Sequence, residues 1–161
     1  MRVWRLCKRR HAAFDGEGAR LAGGRWNRKG TAIVYTSGTL SLAAQEFFVH
    51  LAPEEIPSDV VAVSADIPED VGIASLRGAN LPRGWRQFPA PESLAELGMR
   101  WVEAMESAVL EVPSAVIPQE SNYLLNPAHT DFAKIRLNQP ESFTYDRRMW
   151  KKEKSDRRGQ S

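Results

Sequence analysis

Cysteine and long apolar runs are scarce in this chain of 161 residues. The single cysteine, Cys7, excludes an internal disulfide framework and a zinc site built from cysteines, and it favours a reducing compartment. No apolar stretch approaches the roughly 18–20 residues of a membrane span, and the N-terminal segment has no signal-peptide core. We therefore expect a cytoplasmic protein without membrane contact.

Common short signatures of enzymes are also missing. The sequence holds no P-loop, no H-E-x-x-H and no G-x-S-x-G motif, and its glycines do not follow G-x-G-x-x-G. The three histidines, His11, His50 and His129, lie far apart, and none has a second ligand at metal spacing. A metal cofactor is therefore not expected.

Charge is unevenly distributed along the chain. Residues 147–158 hold seven basic and two acidic residues, a local charge of +5, and subtracting this from the net +2 leaves −3 elsewhere. Such a run is either a solvated tail, the more common case, or a patch that tracks nucleic-acid phosphates. We predict a domain over 1–146 and a disordered basic tail over 147–161 that makes no nucleic-acid contact.

The composition, 42% apolar and 26% charged, is typical of one soluble globular domain. Apolar stripes at helical spacing predict helices over 40–51, capped by Thr39, and 93–105, opening with a capping box at Ser93. Runs rich in β-branched and aromatic residues predict strands over 2–6, 31–36, 60–67, 109–112, 115–117, 132–137 and 142–145. The pattern predicts a mixed α+β domain.

Three segments lack a clear periodic pattern. Residues 14–30 and 68–89 are predicted as long irregular loops, and 121–127 as a turn or short helical piece closed by proline. Long loops are uncommon in compact domains unless they carry function.

The most concentrated signal is the run Gly23–Asn27 (GGRWN) inside the first loop. Its glycines place bare backbone beside an arginine fork that matches phosphate and a tryptophan that offers a stacking face. The run is therefore either a binding loop for a planar or phosphorylated ligand, or a glycine turn with Trp26 in the core.

A carboxylate, Glu46, interrupts the apolar run of the first predicted helix, one residue before the core-facing Phe47. An acid at this border is either a partnered structural group or a functional one. Tyr35 ends the preceding strand, where buried tyrosines are common, so its position alone does not distinguish core from site.

Two longer segments, GEGARLAGGRWNRKGTAIVYTSGTLSLAAQEFFVHL and VPSAVIPQESNYLLNPAH, resemble the RES domain. The resemblance spans residues 2–146 and leaves out the basic tail. It implies a fold similar to that of bacterial ADP-ribosyltransferases, an α+β domain with two small β-sheets and helices around an NAD cleft. It also implies a toxin that forms a hetero-oligomer with an Xre-type antitoxin, which makes the DNA contacts. Because Arg25 is a ready anchor for a carboxylate, we expect a side chain or the C-terminus of the antitoxin to replace the NAD pyrophosphate and block the cleft.

The resemblance assigns the family's catalytic residues to Arg25 of GGRWN, Tyr35 of VYTS and Glu46. The family serine falls on Ser114, with Ser121 as the alternative. In the implied reaction Arg25 clamps the phosphates, Tyr35 stacks on nicotinamide, Glu46 holds the ribose hydroxyls, and Ser114 bonds the ribose or the nicotinamide amide.

Further positions carry over from the same resemblance. Gly24 and Asn122 are expected to help bind NAD, and Asn122 with Asn126 matches an N-x-x-x-N element. Gln45 departs from the aliphatic residue expected before the glutamate, and it adds a polar group beside Glu46.

The activity implied is cleavage of the bond between nicotinamide and ribose, with NAD+ as the substrate and no metal. Hydrolysis, phosphorolysis and protein ADP-ribosylation are all open, because the sequence does not choose among water, phosphate and a side chain as acceptor. The alternative class is a toxin that binds nucleic acid or cleaves RNA through the basic tail, with Trp150 stacking on a base. The acidic body argues against it.

Overall fold

The structure, a computed structural model, describes residues 1–150. Its strands are β1 (Arg2–Lys8), β2 (Val34–Ser37), β3 (Val60–Asp66), β4 (Ile73–Ser75), β5 (Val109–Pro113), β6 (Ser121–Leu125), β7 (Arg136–Leu137) and β8 (Glu141–Ser142). Its α-helices are α1 (Glu17–Ala22), α2 (Leu40–Phe48) and α3 (Glu92–Ala104). The predicted α+β class is confirmed. Among the helices of residues 1–150, none has the length and apolar character that crossing a bilayer requires.

The strands join in the order β4-β5-β6-β2-β1-β3-β7, with β8 also paired to β3. Only the β4–β5 pair is parallel among the strand pairs of the described residues. The pairing of β1 with β2 is limited to Trp4 opposite Ser37, whereas β1 and β3 pair along their whole length. The two small sheets that the family resemblance implies are therefore joined at one residue pair into a continuous sheet.

Helix α2 packs against the central strands β1 and β2, and it carries Glu46. The predicted cap is present, since the Thr39 hydroxyl oxygen accepts a hydrogen bond of 3.1 Å from the Leu42 N–H. Leu42, Ala43 and Ala44 are buried on its inner face. The helix ends at Phe48, three residues before the predicted end.

A C-terminal segment crosses over α2 and fastens it. The Tyr145 hydroxyl donates a hydrogen bond of 2.5 Å to the carbonyl of Ala44, and burial raises the pKa of Tyr145 to about 12. Arg147–Met149 form a 3-10 turn, and the Trp150 ring packs edge-on against Phe48 at 5.5 Å. Trp150 thus belongs to the aromatic cluster on α2. The rest of the predicted tail, 151–161, lies outside the described residues.

Several predicted elements differ from the structure. Residues 121–125 form β6, between β5 and β2, because strands on both sides supply backbone partners to a segment with little β propensity of its own. Residues 115–117 form a turn, and 132–137 divide into a 3-10 helix and the two-residue β7. Helix α3 begins at Glu92 after Pro91, without the side-chain cap predicted at Ser93.

Candidate active site

A cleft of about 970 Å³ opens between the GGRWN loop, α2, β6 and the segments 86–90 and 113–116. This volume lies within the range of small-molecule sites. The predicted site residues that line it are Gly24, Arg25, Tyr35, Glu46 and Asn122. The structure therefore brings together residues that are up to 98 positions apart in sequence.

Glu46 lies on α2 with one carboxylate oxygen fixed and the other open. Its Oε1 accepts hydrogen bonds from the Ser114 hydroxyl at 2.7 Å and from the Asn122 side-chain amide at 2.6 Å. Among residues 1–150, no donor bonds its Oε2. The carboxylate is thus partnered and at the same time available to a ligand in the cleft.

Ser114 is fully buried and does not line the cleft. Its hydroxyl donates to Glu46 and accepts from the backbone N–H groups of Val116 and Ile117 at 3.0 and 2.9 Å. One donor and two acceptor positions are all that a hydroxyl has. This arrangement favours a Ser114 that orients Glu46 over the expected contact with the ribose or the nicotinamide amide.

Ser121, the alternative family serine, belongs to another cluster. Its hydroxyl donates to Glu111 Oε1 at 2.8 Å and also contacts the Arg77 guanidinium. Neighbouring residues on a strand point to opposite faces, so Ser121 lies on the face away from Asn122. The serine that bonds Glu46 is Ser114.

Asn122 is held from both ends of its amide. Its Nδ2 donates to Glu46, and its Oδ1 accepts a hydrogen bond of 2.8 Å from the Ser37 hydroxyl. Ser37 was not predicted as a site residue, although strand alternation places it on the same face of β2 as Tyr35. Asn126 instead has a structural role, since its Oδ1 caps the turn after β6 by accepting from the Ala128 N–H at 3.0 Å.

Arg25 is half-buried at the cleft wall and binds the opposite loop. Its Nη1 donates to the carbonyls of Trp85 and Gln87 at 2.8 and 3.1 Å. Burial lowers the pKa of Arg25, while the nearby Glu46 carboxylate opposes that shift. Within the described residues its Nε and Nη2 donate no hydrogen bond, so three of its five N–H donors are free for an anion.

Tyr35 fixes the GGRWN loop through its hydroxyl, which donates to Asn27 Oδ1 at 2.7 Å and accepts from the Trp26 N–H at 3.0 Å. Burial raises the pKa of Tyr35 well above its ordinary value, so the phenol stays neutral. A Cβ on Gly24 would lie 2.6 Å from that hydroxyl oxygen. Gly24 is therefore required by packing, whatever ligand the loop binds.

The GGRWN run has one side in the core and one side at the cleft. Trp26 is 2% exposed and packs in a core cluster with Leu94 and Trp101, while Arg25 faces the cleft. Helix α3 approaches so closely that a Cβ on Gly98 would lie 1.9 Å from the Trp26 carbonyl oxygen. The packing of Trp26 against α3 thus positions the neighbouring Arg25.

The cleft is more basic than the body of the protein. Arg5, Arg25 and Arg86 line it with one carboxylate, Glu46, although the chain outside the basic run carries −3. Arg86 also donates from Nε to the carbonyl of Ala115 at 3.1 Å, which fastens segment 86–90 to the turn after β5. This distribution favours a ligand with more than one negative charge.

An aromatic side chain at the mouth was missed by the sequence analysis. Phe88 lines the cleft, yet its side chain is 88% exposed. The segment that carries it is held in place by Arg25 and Arg86. Its only sequence signal is an aromatic residue in an otherwise irregular segment.

Among residues 1–150 there is also no group of three His, Cys, Asp or Glu side chains that could hold a metal ion.

Comparison with known proteins gives consistent matches over nearly the whole chain. Relatives include the Prs ADP-ribosylating toxin of a Sphingobium species, 38% identical over 92% of this chain and 96% of that protein. Toxin Res of Yersinia enterocolitica is also 38% identical, over 92% of this chain and 99% of that protein.

A solved structure shares the fold. A chain from the crystal structure of the Mycobacterium tuberculosis MbcT–MbcA toxin–antitoxin complex superposes with a TM-score of 0.67 at 17% identity, covering 89% of this chain and 84% of that chain. The family model described as RES domain matches residues 2–146. This chain belongs to the RES domain family.

Proposed function

We propose that this chain is the toxin of a toxin–antitoxin pair and that its cleft cleaves the bond between nicotinamide and ribose in NAD+. The observation that carries the proposal is the state of Glu46, with Oε1 held by two donors and Oε2 open to a basic cleft. The relatives support it, since one of them is named an ADP-ribosylating toxin and another Toxin Res.

The chemistry requires stabilisation of positive charge on the ribose. As the bond breaks, its electron pair moves onto the nicotinamide nitrogen, so the leaving group departs neutral and needs no proton. Charge then builds at ribose C1′, as in the oxocarbenium-like transition state of glycoside hydrolysis. Glu46 Oε2 accepts a hydrogen bond from a ribose hydroxyl, and the negative charge of the carboxylate stabilises the positive charge at C1′.

Arg25 and the other cleft arginines bind the pyrophosphate in the middle of the substrate. The three free N–H donors of Arg25 match the oxygens of a pyrophosphate, and its Nη1 keeps the facing loop in place. The Tyr35 ring forms an aromatic wall for nicotinamide, while its hydroxyl holds the loop that carries Arg25. Binding the phosphates and the base fixes C1′ near Glu46.

The acceptor that attacks C1′ is water, phosphate or a protein side chain. ADP-ribosylation of a protein is the second candidate, because one relative at 38% identity is named an ADP-ribosylating toxin. The test incubates the purified chain with NAD+ labelled on the adenylate, in water, in phosphate and in a bacterial lysate.

We expect nicotinamide release in at least one of these arms. Free ADP-ribose indicates hydrolysis, ADP-ribose 1″-phosphate indicates phosphorolysis, and a labelled protein band indicates ADP-ribosylation. Absence of nicotinamide release in all three arms contradicts the proposed activity.

The partner proposed is an Xre-type antitoxin that closes the cleft. A carboxylate of the antitoxin, on a side chain or at its C-terminus, fits the free donors of Arg25 in place of the pyrophosphate. The solved neighbour, itself a toxin–antitoxin complex, supports a partner of this kind. The purified complex should cleave NAD+ much more slowly than the free toxin, and equal rates contradict occlusion.

A further inference from the structure

Ser37 has no part in the mechanism above, yet its hydroxyl is hydrogen-bonded to Asn122, which in turn is hydrogen-bonded to Glu46. Ser37 lies at the cleft wall but is only 3% exposed, so little of its surface can reach a ligand. Its Oγ donates to Asn122 Oδ1 at 2.8 Å, and the other end of that amide donates to Glu46 Oε1 at 2.6 Å. The three side chains form a continuous path from the sheet to the carboxylate.

The direction of each bond in this path is set by chemistry. An ionised carboxylate only accepts hydrogen bonds, so the Nδ2 end of Asn122 faces Glu46 and the Oδ1 end faces away. Oδ1 then needs a donor, and Ser37 is the hydroxyl that supplies it. Without that donor the Oδ1 end of the amide has no hydrogen-bond partner, and the Asn122 side chain can rotate away from Glu46.

Sheet register makes the Ser37 contact rigid. Ser37 and Asn122 are directly opposite each other in the β2–β6 pair, and Ser37 is also the residue of β2 that pairs with β1 at Trp4. Residues opposite each other on neighbouring strands have their side chains about 4.5–5.5 Å apart at Cβ, which fixes the reach between them. The bond is thus anchored where the two small sheets join.

From this geometry we propose that Ser37 is a positioning residue for NAD+ cleavage: acting through Asn122, it holds Glu46 Oε1 so that Oε2 faces the ribose. The inference rests on the proposed function, since it names how the carboxylate of that site is held. Ser114 supplies the second anchor on the same oxygen. The two anchors come from β6 and from the turn after β5, and both are needed to stop rotation of the carboxylate.

The variant Ser37→Ala tests this role by kinetics. We expect kcat to fall about tenfold, the effect of one hydrogen bond to a network around a charged group, with KM changed less than about twofold. Substrate affinity depends on Arg25 and the aromatic walls, which Ser37 does not touch. Ser37→Thr keeps the hydroxyl and should restore most of the rate.

Ser64→Ala is the matched control. Ser64 is also a buried strand serine bonded to an asparagine, since its Oγ accepts from Asn138 Nδ2 at 3.1 Å, but it lies on β3 outside the cleft lining. The Ser64→Ala variant should lose about as much thermal stability as Ser37→Ala, with kcat unchanged. If kcat falls equally in Ser64→Ala, the inference is overturned, because the loss in Ser37→Ala then reflects only the removal of a buried strand hydroxyl.

A double-mutant cycle asks whether Ser37 acts through Asn122. In the Asn122→Ala background the further change Ser37→Ala should lower kcat by less than about twofold, because the path is already broken. Multiplicative effects of the two changes overturn the inference. The inference is also overturned if the wild-type chain cleaves NAD+ and Ser37→Ala cleaves it at the same rate.

A measurement without substrate separates this inference from the proposed function. If the wild-type chain releases no nicotinamide, the proposed function fails, but carbon NMR of the Glu46 carboxyl group still reports its environment. We expect its signal to move or broaden in Ser37→Ala and to stay in place in Ser64→Ala. An unchanged signal in Ser37→Ala overturns the positioning role.

Discussion

The Ser114 hydroxyl donates a hydrogen bond of 2.7 Å to Glu46 Oε1, although the two residues are 68 positions apart in the chain. The same hydroxyl oxygen accepts two backbone N–H groups of its own turn. All three hydrogen-bonding positions of this buried hydroxyl are therefore occupied, one of them by the carboxylate. The candidate site thus combines an accessible carboxylate, Glu46, with residues that fix its orientation.

Replacing Arg25 by alanine should affect both substrate and loop. The change removes the phosphate donors and the bonds to Trp85 and Gln87, so we expect kcat/KM to fall on the order of 100-fold. Amide hydrogen exchange of residues 85–88 should also become faster. Arg83→Ala removes an exposed arginine from the same segment and should leave both measurements unchanged. Slow exchange in Arg25→Ala contradicts its role in holding the loop.

Replacing Phe88 by alanine should weaken substrate binding more than catalysis. A ligand base that covers this exposed ring gains stacking worth about 1–3 kcal/mol, so we expect KM to rise about tenfold with little change in kcat. Phe88→Trp keeps a stacking face and should retain a low KM. If KM in Phe88→Ala equals the wild-type value, the ring does not contact the substrate.

Replacing Gly98 by alanine should destabilise the protein, although alanine is normally the better helix former. The added Cβ would lie 1.9 Å from the Trp26 carbonyl oxygen, and relief of such overpacking costs about 1–3 kcal/mol. Gly18→Ala is the control, since nothing lies within 4 Å of its added Cβ in α1, and it should raise stability slightly. Thermal unfolding of both variants measures the difference. Equal shifts contradict the close approach of α3 to Trp26.

Asp66 should make stability depend on acidic pH. Its hydrogen bond from Arg2, followed by that from Asn138, lowers the pKa of this carboxyl to about 2. Because the folded pKa lies below the unfolded one, its contribution is full above about pH 4 and is lost as pH falls toward 2. Urea unfolding of wild type and Asp66→Asn should give free energies of unfolding that differ most above pH 4. A difference independent of pH contradicts this assignment.

Local patterns were enough to predict the α+β class and the elements whose composition matches their environment. The β-branched run ending at Tyr35 and the capped stripe of α2 are examples, since propensity and burial agree there. The strand β6 was not predicted, because SNYLL owes its conformation to partners on both sides. Helix α1 was missed because glycines on both of its sides indicated only a loop.

The site could be predicted residue by residue only where the chemistry is carried by one side chain. Arg25 and Glu46 stood out as a charged fork beside glycines and an acid in an apolar run. The contact of Ser37 with Asn122 joins residues 85 positions apart and depends on the pairing of β2 with β6, which no local pattern indicates. The indirect role of Ser114 likewise depends on its burial, which follows from tertiary packing.

Glu46→Gln tests the central claim most directly, because it keeps the shape of the side chain and removes the charge that the mechanism requires. The measurement is the rate of nicotinamide release from NAD+ by the wild-type chain, by Glu46→Gln and by Glu103→Gln, an exposed carboxylate on α3. The account predicts release by wild type and Glu103→Gln, and a rate at least about 100-fold lower in a folded Glu46→Gln protein. Release by Glu46→Gln at a rate close to that of wild type would contradict it.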